Sequence, residues 1–524
     1  MISLDQARTK RMVAIHGWSG VVLGLLLYVV VLTGAVAVFD NEIGRWSKGV
    51  GSGNPQITSL VHRAVSERAA ALDPSFHEEI VVTATDERVV RMSFQRHERH
   101  PETGNMTDYA EMYFVDPATG ETVEHKSGYL VDLFVRDQED ALKRFLVDLH
   151  IRLHVPGNLG LYLTGILGLV MLVAAVSGLV MHRHLIRDLF TASRAQGRLS
   201  DRRDRHVLAA AWGLPFSILL AFTGAFFSFA ISLGVPIVAM VAFGGDQEAL
   251  IATVIGPPEA QSEVVPARLA SLDYIVLESG KIAGAPPISM AIEGYGTSEA
   301  SVTTTHGFAD GNLTSTTLMW DGVSRAFLGE KPILGLEPSA GSAVVSLMAP
   351  LHFGNFGGLV SRTVWLAMGL AMAFVIGTGM QMWVHRREAD RLWRRFGVAV
   401  EITLWGLPFA LLTSAVAFFI ALQFSDTLWW TPAGFLIGCA MAIVLGLKAR
   451  DPGDVLRPWV GALCLGLPVL RHLMGGTSWS EALLRGDVSV LTIDILLLIG
   501  GVWLLRLYEW LDRERLRPFA EPAE

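Results

Sequence analysis

MVAIHGWSGVVLGLLLYVVVLTGAVAVF, at residues 12–39, is the stretch that decides the fold of this chain. It is a long apolar run, and a helix that crosses a bilayer needs about 20 such residues. His16 lies near its start and the dipeptide Thr33-Gly34 lies near its end. A histidine inside a membrane span is costly without a partner, so it marks a candidate functional site. The run therefore predicts a first membrane helix that carries such a site.

The same arrangement occurs a second time. His206 is followed by the dipeptide Thr223-Gly224, and in both copies the threonine comes 17 residues after the histidine. The two copies are 190 residues apart. This repeat indicates an internally duplicated membrane protein in which the histidine has the same depth in each half.

The composition is that of a membrane protein without thiol-based sites. Of the 524 residues, 51% are hydrophobic, and the mean hydropathy is +0.42, because several apolar stretches run without interruption. The two cysteines, Cys439 and Cys464, lie in apolar runs, which excludes a disulfide framework and a cysteine-based metal or iron–sulfur site. Any redox cofactor would therefore rest on imidazole. There is no nucleotide-binding glycine motif, and no nucleic-acid partner is expected.

Eight apolar stretches are expected to cross the bilayer. They fall near residues 13–38, 159–181, 206–232, 359–384, 397–421, 430–447, 457–473 and 489–508. Basic residues cluster at the N-terminus, between the second and third stretches and after the fourth, which is one side if the spans alternate. By the positive-inside rule that side is cytoplasmic. We expect a multi-pass protein of the bacterial inner membrane with both ends in the cytoplasm and an uncleaved first span.

Two polar inserts are expected on the periplasmic side, each a small α+β domain of one helix on a few antiparallel strands. Helical patterns cover residues 58–72 and 266–279, and strand-like runs follow at 79–85, 88–94, 110–116, 288–294, 299–305 and 314–320. The fold class is a mainly α-helical polytopic membrane protein, with a duplicated two-helix unit, two α+β inserts and four C-terminal helices. The expected division is 1–39 (first span), 40–148 (first insert), 149–184 (second span), 185–205 (basic loop), 206–232 (third span), 233–350 (second insert), 351–385 (fourth span), 386–396 (loop) and 397–524 (C-terminal region).

Several motifs resemble those of the PepSY-associated transmembrane family, which includes inner-membrane ferric-siderophore reductases. The matching stretches are His16 with LTGA at 32–35, VDPATGE at 115–121, LHIRLH at 149–154, His206 with FTGA at 222–225, and LHFGNFGG at 351–358. The resemblance covers about residues 8–390. It implies PepSY-like inserts and a core similar to the b-type cytochromes that hold two haems between four helices.

Within this resemblance the histidines fall into two sets at two depths. Haem iron takes two axial ligands from facing side chains, and imidazole is a common choice. A pseudo-twofold relation between the halves would let His16 face His206 across one haem b. His352 would face His150 or His154 across a second, and these last two are four residues apart, as on one helical face.

Glycines reinforce the pattern. At each depth, one pair of spans carries a histidine and the other pair carries a glycine. We therefore expect four glycines to leave room for the haem: Gly34, Gly178, Gly224 and Gly379. Ordinary small-residue helix packing is the alternative. His184 and His385 lie at the cytoplasmic edge beside arginines and are weaker candidates, better explained as interface anchors.

The expected function is a haem-dependent membrane reductase. Electrons would come from a quinol or a separate cytoplasmic reductase and leave to a periplasmic acceptor, which the family resemblance implies is iron in a ferric siderophore. The alternatives are a haem-free siderophore transporter or export partner, and a regulator whose PepSY-like inserts bind a periplasmic protein. For the four C-terminal helices, packing, oligomerisation and a quinone or lipid groove are all left open.

Overall fold

The structure is a computed structural model. It describes residues 5–48, 57, 60–85, 89–102, 104, 106–135, 137–181, 198–246, 249–250, 264–308, 312–335, 337–424 and 426–516. The helices within these ranges are α1 Gln6–Val22, α2 Gly24–Ala37, α3 Asp40–Lys48, α4 Val61–Ala71, α5 Leu130–Val135, α6 Ala141–Arg152, α7 Asn158–Met181, α8 Arg198–Phe229, α9 Val235–Ala242, α10 Leu272–Ala283, α11 Ala340–Phe353, α12 Gly358–His385, α13 Arg391–Phe424, α14 Thr427–Lys448, α15 Pro452–Leu473, α16 Trp479–Arg485 and α17 Val488–Leu516. The strands are β1 Glu79–Ala84, β2 Val90–Arg99, β3 Met106–Val115, β4 Thr122–Tyr129, β5 Pro287–Glu293, β6 Ser301–His306, β7 Thr316–Asp321 and β8 Phe327–Glu330.

The membrane spans agree with the apolar stretches of the sequence. Within the described ranges, seven helices are long and apolar enough to cross a membrane, or eight if α1 and α2 together form one broken span. Their outward faces carry large exposed apolar side chains, as lipid contact requires. The expectation of a mainly helical, multi-pass protein is confirmed. The third span runs further than expected, because a short π-helical turn at Ala230–Gly234 continues directly into α9.

The first span is broken rather than continuous. Helices α1 and α2 meet at an angle of 69°, and Leu23 between them leaves the helical conformation. Sharp bends occur where glycine and serine are concentrated, and Gly17, Ser19, Gly20 and Gly24 surround this point. The bend brings backbone into close contact with α12, since a Cβ atom at Gly24 would lie 2.7 Å from the sulfur of Met380.

The four spans of the duplicated unit close into a ring. Helix α1 packs against α7, α7 against α8, α8 against α12, and α12 against α2. The ring is the scaffold that positions every candidate ligand described below.

The two expected α+β inserts are present, and they are joined in one sheet. The described strands form an eight-stranded antiparallel sheet in the order β4-β3-β2-β1-β5-β6-β7-β8, and the seam pairs β1 with β5 from Glu79↔Glu293 to Thr83↔Ser289. Pairing these two strands removes two free edges, which isolated domains would expose. One hydrophobic core then serves both halves, with Ile80 beside Ile292 and the helices α4 and α10 packed on the same cluster.

The two outermost strands lead back to the bundle. Strand β4 is followed by α5 and α6, and β8 is followed by α11. We call this end of the bundle the sheet side and the opposite end, where α1 begins and α12 ends, the far side.

The C-terminal helices α13–α17 pack on the ring and on α3 and α6. Phe418, Phe419 and Leu467 join a buried cluster with Trp46 and Phe145. Two polar contacts reinforce this interface. The Trp46 indole donates a hydrogen bond of 2.7 Å to Asp494, and the Tyr28 hydroxyl donates one of 2.9 Å to the carbonyl of Leu404.

Candidate functional site

On the far side, the imidazoles of His16 and His206 face each other. His16 projects from α1 and His206 from α8, and their ring centres are 6.4 Å apart with an angle of 77° between the ring planes. These residues are separated by 190 positions in the sequence, so the ring of four spans is what brings them together. We call them the far-side pair.

On the sheet side, His150 and His352 form a second pair. His150 lies in the last turn of α6 and His352 in the last turn of α11. Their ring centres are 6.2 Å apart and their planes differ by 27°. We call them the sheet-side pair. Two facing pairs therefore lie at opposite ends of the same ring of helices. On α8, His206 of the far-side pair and Thr223, which binds His352, are 17 residues apart, about 26 Å at helical rise.

In each pair, one imidazole donates a hydrogen bond from its Nδ1 atom to a backbone carbonyl. His16 Nδ1 lies 2.9 Å from the carbonyl oxygen of Ala174, and His150 Nδ1 lies 2.8 Å from that of Val30. A carbonyl can only accept, so both Nδ1 atoms carry the proton and donate it.

The Nδ1 atom of the other ring in each pair forms a hydrogen bond with a threonine hydroxyl. His206 Nδ1 lies 3.0 Å from Thr378 Oγ1, and His352 Nδ1 lies 2.9 Å from Thr223 Oγ1. Each hydroxyl already donates its hydrogen within its own helix, Thr378 to Phe374 and Thr223 to Leu219, at 2.8 Å in both cases. The hydroxyl oxygen therefore accepts from Nδ1–H.

All four rings are thus held in the tautomer whose Nε2 atom has a free lone pair. Among the described residues, none donates a hydrogen bond to the Nε2 of His16, His150, His206 or His352. A donated Nδ1–H bond of this kind orients a metal-binding imidazole and raises its basicity. The arrangement fits a ligand role for Nε2.

The four predicted glycines lie against these rings. A Cβ atom at Gly34 would lie 2.6 Å from Cε1 of His150, and one at Gly178, Gly224 or Gly379 would lie 3.3 Å from Cε1 of His16, His352 or His206, respectively. The depth at which each glycine meets a histidine agrees with the sequence pattern. The sequence did not indicate that the space left by each glycine is filled by an imidazole; clearance of a haem by the same glycines stays a prediction.

The hydroxyl residue before each glycine now has a role. In the second half, Thr223 and Thr378 bind the imidazole themselves. In the first half, Thr33 and Ser177 donate to the carbonyls of Val30 and Ala174 that hold His150 and His16, each at 3.1 Å. The recurring hydroxyl–glycine dipeptide is therefore a cradle for one imidazole ring. The dipeptide is visible in the sequence, but the role of its hydroxyl depends on contacts between helices that are distant in the chain.

The spacing of each pair can be compared with what a metal needs. Metal–imidazole bonds are about 2.0–2.1 Å long, so two imidazoles on opposite sides of one metal have ring centres roughly 6 Å apart. The observed separations are 6.4 and 6.2 Å. The residues present therefore fit a haem with two axial histidines at each depth.

His154 does not share a helical face with His150, contrary to the sequence expectation. Helix α6 ends at Arg152, and Leu153 and His154 both take the left-handed conformation. The His154 ring stacks on Phe145 with ring centres 4.5 Å apart, and its Nε2 donates to the Phe145 carbonyl at 3.0 Å. Of the two alternatives for the partner of His352, the structure places His150 opposite it.

The weaker candidates lie elsewhere. His385 is half exposed and its Nδ1 lies 3.2 Å from the carboxylate of Glu388, as expected of an interface anchor. His184 lies outside the described residues.

A buried polar cluster near the sheet side was not anticipated. Arg471 and Asp494 are almost fully buried and form an ion pair of 3.0 Å. Asp494 also accepts hydrogen bonds from the indoles of Trp46 and Trp479, at 2.7 and 2.8 Å. No sequence pattern indicates a role for Asp494, because it is a single acidic residue in an otherwise apolar span.

The fold and the two facing pairs define a class of protein, a polytopic membrane protein with a duplicated helical ring and an external antiparallel sheet. The chain belongs to the PepSY-associated TM region family, which matches residues 13–386. The family assignment made from the motifs is confirmed. An uncharacterized protein of Pseudomonas aeruginosa is 29% identical to this chain over 389 residues, covering 69% of this chain and 93% of that protein. Helices α13–α17 lie beyond the region that the family matches.

Proposed function

We propose that the protein is a b-type dihaem oxidoreductase that passes electrons across the bilayer to an acceptor beside the sheet. The observation that carries this proposal is the presence of two facing imidazole pairs at opposite ends of one ring of helices. His16 and His206 would hold one haem, and His150 and His352 would hold the other. A haem held in this way supplies one-electron redox chemistry.

The surrounding residues support this role more than a structural one. A histidine that only joins two helices needs one hydrogen bond, and each of these four already has it through Nδ1. Leaving the Nε2 atoms of two facing rings without a donor at each depth serves no packing purpose, and unsatisfied polar atoms in a bilayer are costly. A metal ion bound by both rings of a pair explains why the rings face each other and why each Nε2 lacks a donor.

The charge distribution supports one direction of transfer. Described arginines cluster at the far side, at the end of α12 and the start of α13: Arg386, Arg387, Arg391, Arg394 and Arg395. Basic residues favour the cytoplasmic side of an inner membrane. We infer that electrons enter beside His16 and His206 from a quinol or a separate reductase and leave on the periplasmic sheet side.

The acceptor proposed is ferric iron held by hard oxygen ligands, as in a siderophore. Electron gain converts it to ferrous iron, a softer ion that such ligands hold less tightly, so reduction releases the metal. The family membership and the external sheet next to the sheet-side pair are what support this choice.

Purified protein from haem-replete cells tests the cofactor. We expect a Soret band with low-spin bis-imidazole features and two haems per chain. The variants His16→Ala and His352→Ala should each lose one haem, whereas the matched variant His154→Ala should keep both, because its ring faces Phe145. A protein without a Soret band contradicts the proposal and favours the haem-free transporter.

The acceptor is tested separately with the reduced protein. Chemically reduced haem should be reoxidised rapidly by a ferric hydroxamate complex, with ferrous iron trapped by a chromogenic chelator. If the ferric complex does not reoxidise the haem-loaded protein, this acceptor is excluded, whereas the proposal of electron transfer through two haems is unaffected.

A further inference from the structure

Glu401 is a carboxyl group in the membrane-spanning part of α13, ten residues from the start of that helix. Its side chain is hydrogen-bonded by Gln381 of α12, whose Nε2 donates to Oε1 at 2.6 Å. An ionisable residue inside a span is expensive and points to function by default. The structural alternative is a polar contact that joins two helices.

The carboxyl group lies at the level of the far-side pair along α12, on the other side of that helix. Gln381 is two residues beyond Gly379, which contacts the ring of His206, and residues two apart do not share a helical face. Arg202, one helical turn before His206 on α8, contributes to the field at Glu401. Thus α12 links the two groups: Gln381 binds Glu401 and Thr378 binds His206.

The charged groups that act on Glu401 do not neutralise the charge of its carboxylate at close range. They are Asp451, Arg202 and Arg457, and among the described residues no cation lies within salt-bridge distance of the carboxylate. Gln381 donates from a neutral amide, which offsets little of the loss of solvation.

Asp494 shows what close compensation would require. This second buried carboxylate has the guanidinium of Arg471 at 3.0 Å and two indole donors. Burial of a charge is tolerated when it is paired and hydrogen-bonded in this way. Glu401 has none of these partners, so its charge state is free to respond to a change of charge nearby.

We propose that Glu401 is a proton-binding site coupled to electron entry at the far-side pair. The inference rests on the proposed function. When one electron arrives at that site, one negative charge is added across α12 from Glu401, and the carboxylate takes one proton from the far-side solution to become a carboxylic acid. Only an O–H bond forms. The electron comes from the donor named above, and the proton leaves when the electron moves on to the sheet side.

The test is a redox titration of the holoprotein at several pH values. In the wild type, the midpoint potential of one haem should fall as pH rises, and in Glu401→Gln that potential should be independent of pH. The glutamine keeps a hydrogen bond to Gln381, so a purely structural role would leave the pH dependence unchanged. The matched control is Asp494→Asn, which should keep the wild-type dependence.

A second variant checks the direction of the effect. Gln381→Leu removes a donor that favours the ionised carboxylate, so the pH-dependent region should move to higher pH. In reduced-minus-oxidised infrared spectra, the wild type should show a protonated carboxyl band that Glu401→Gln lacks.

The possible outcomes separate the two proposals. Haem present with potentials that do not depend on pH, or a Glu401→Gln protein that retains the dependence, overturns the proton site alone. Absence of haem overturns the proposed function and this inference with it.

Discussion

The Nδ1 atom of His352 lies 2.9 Å from the hydroxyl oxygen of Thr223, and the hydrogen of that hydroxyl is already given to the carbonyl of Leu219. Thr223 therefore fixes the tautomer of His352 from a position 129 residues earlier in the chain. The relationship makes the threonine a positioning residue for the sheet-side pair.

Under the proposed function, replacement of Thr223 by valine should weaken haem retention at the sheet-side pair by about 10- to 100-fold, as loss of the hydrogen-bond partner of a metal-bound histidine does. Valine has a similar shape but cannot accept the Nδ1–H bond. Haem content per chain during dilution or competition with apomyoglobin measures the effect. Thr223→Ser should stay close to wild type; equal behaviour of the two variants would show that the hydroxyl has no such role.

Gly34→Ala should disturb the sheet-side pair. The new Cβ would lie 2.6 Å from Cε1 of His150, and overpacking of this kind costs about 1–3 kcal/mol. We expect a lower melting temperature in detergent and a changed spectrum of one haem only. Gly466→Ala is the control, because no neighbouring atom lies within 4 Å of a Cβ at that position. Similar losses in both variants would argue against a specific clash.

Arg471→Leu should destabilise the contact between the C-terminal helices and the rest of the bundle. Removing one partner of a buried pair leaves Asp494 charged and uncompensated, which costs about 3–5 kcal/mol. Thermal unfolding followed by tryptophan fluorescence measures the loss. In contrast, Arg485→Leu breaks a half-exposed pair with Glu481, and such pairs contribute only about 0.3–0.5 kcal/mol. A small effect at Arg471 would mean that Asp494 is satisfied by the two indoles.

The seam of the sheet should weaken as pH rises through the mildly acidic range. Glu79 and Glu293 are opposite each other across β1 and β5, and burial, together with the charge of Glu293, raises the pKa of Glu79 above its ordinary value. Between the unfolded and the raised folded pKa, the folded state binds more protons, so stability falls as pH increases.

Glu79→Gln should remove this dependence and stabilise the seam at neutral pH by about 0.2–1 kcal/mol, the range for cross-strand pairs. Hydrogen exchange of the β1 and β5 amides, measured at several pH values, reports on it. Glu124→Gln on the edge strand β4 is the control. Faster exchange in Glu79→Gln than in the wild type would contradict the expected repulsion.

The sequence was sufficient for the spans and for three of the four facing histidines, His16, His206 and His352, since long apolar runs and a repeated spacing are local signals. The bend at Leu23 was not predicted, although glycine and serine surround it, because small residues are also common in straight membrane helices. Strands β4 and β8 were missed because their side chains are mostly exposed, so they lack the alternation that identifies a strand.

The choice between His150 and His154 also depended on tertiary structure. A spacing of four residues indicates one helical face only while the helix continues, and here α6 ends at Arg152. The pairing of β1 with β5 was equally invisible, because nothing local in either strand specifies a partner so distant in the chain. Glu401 and Asp494 were not singled out, since a lone acidic residue in an apolar run carries no spacing signal.

The joined sheet has a consequence for biosynthesis. Strand β1 ends at Ala84 and its partner β5 begins at Pro287. About 200 residues, which include two membrane spans, must therefore be synthesised before β5 can pair with β1. At roughly 5–20 residues per second, the ribosome needs about 10–40 s for that length. During this interval the first insert presents an open strand to the solution, which makes the nascent chain vulnerable to wrong pairing with its neighbours.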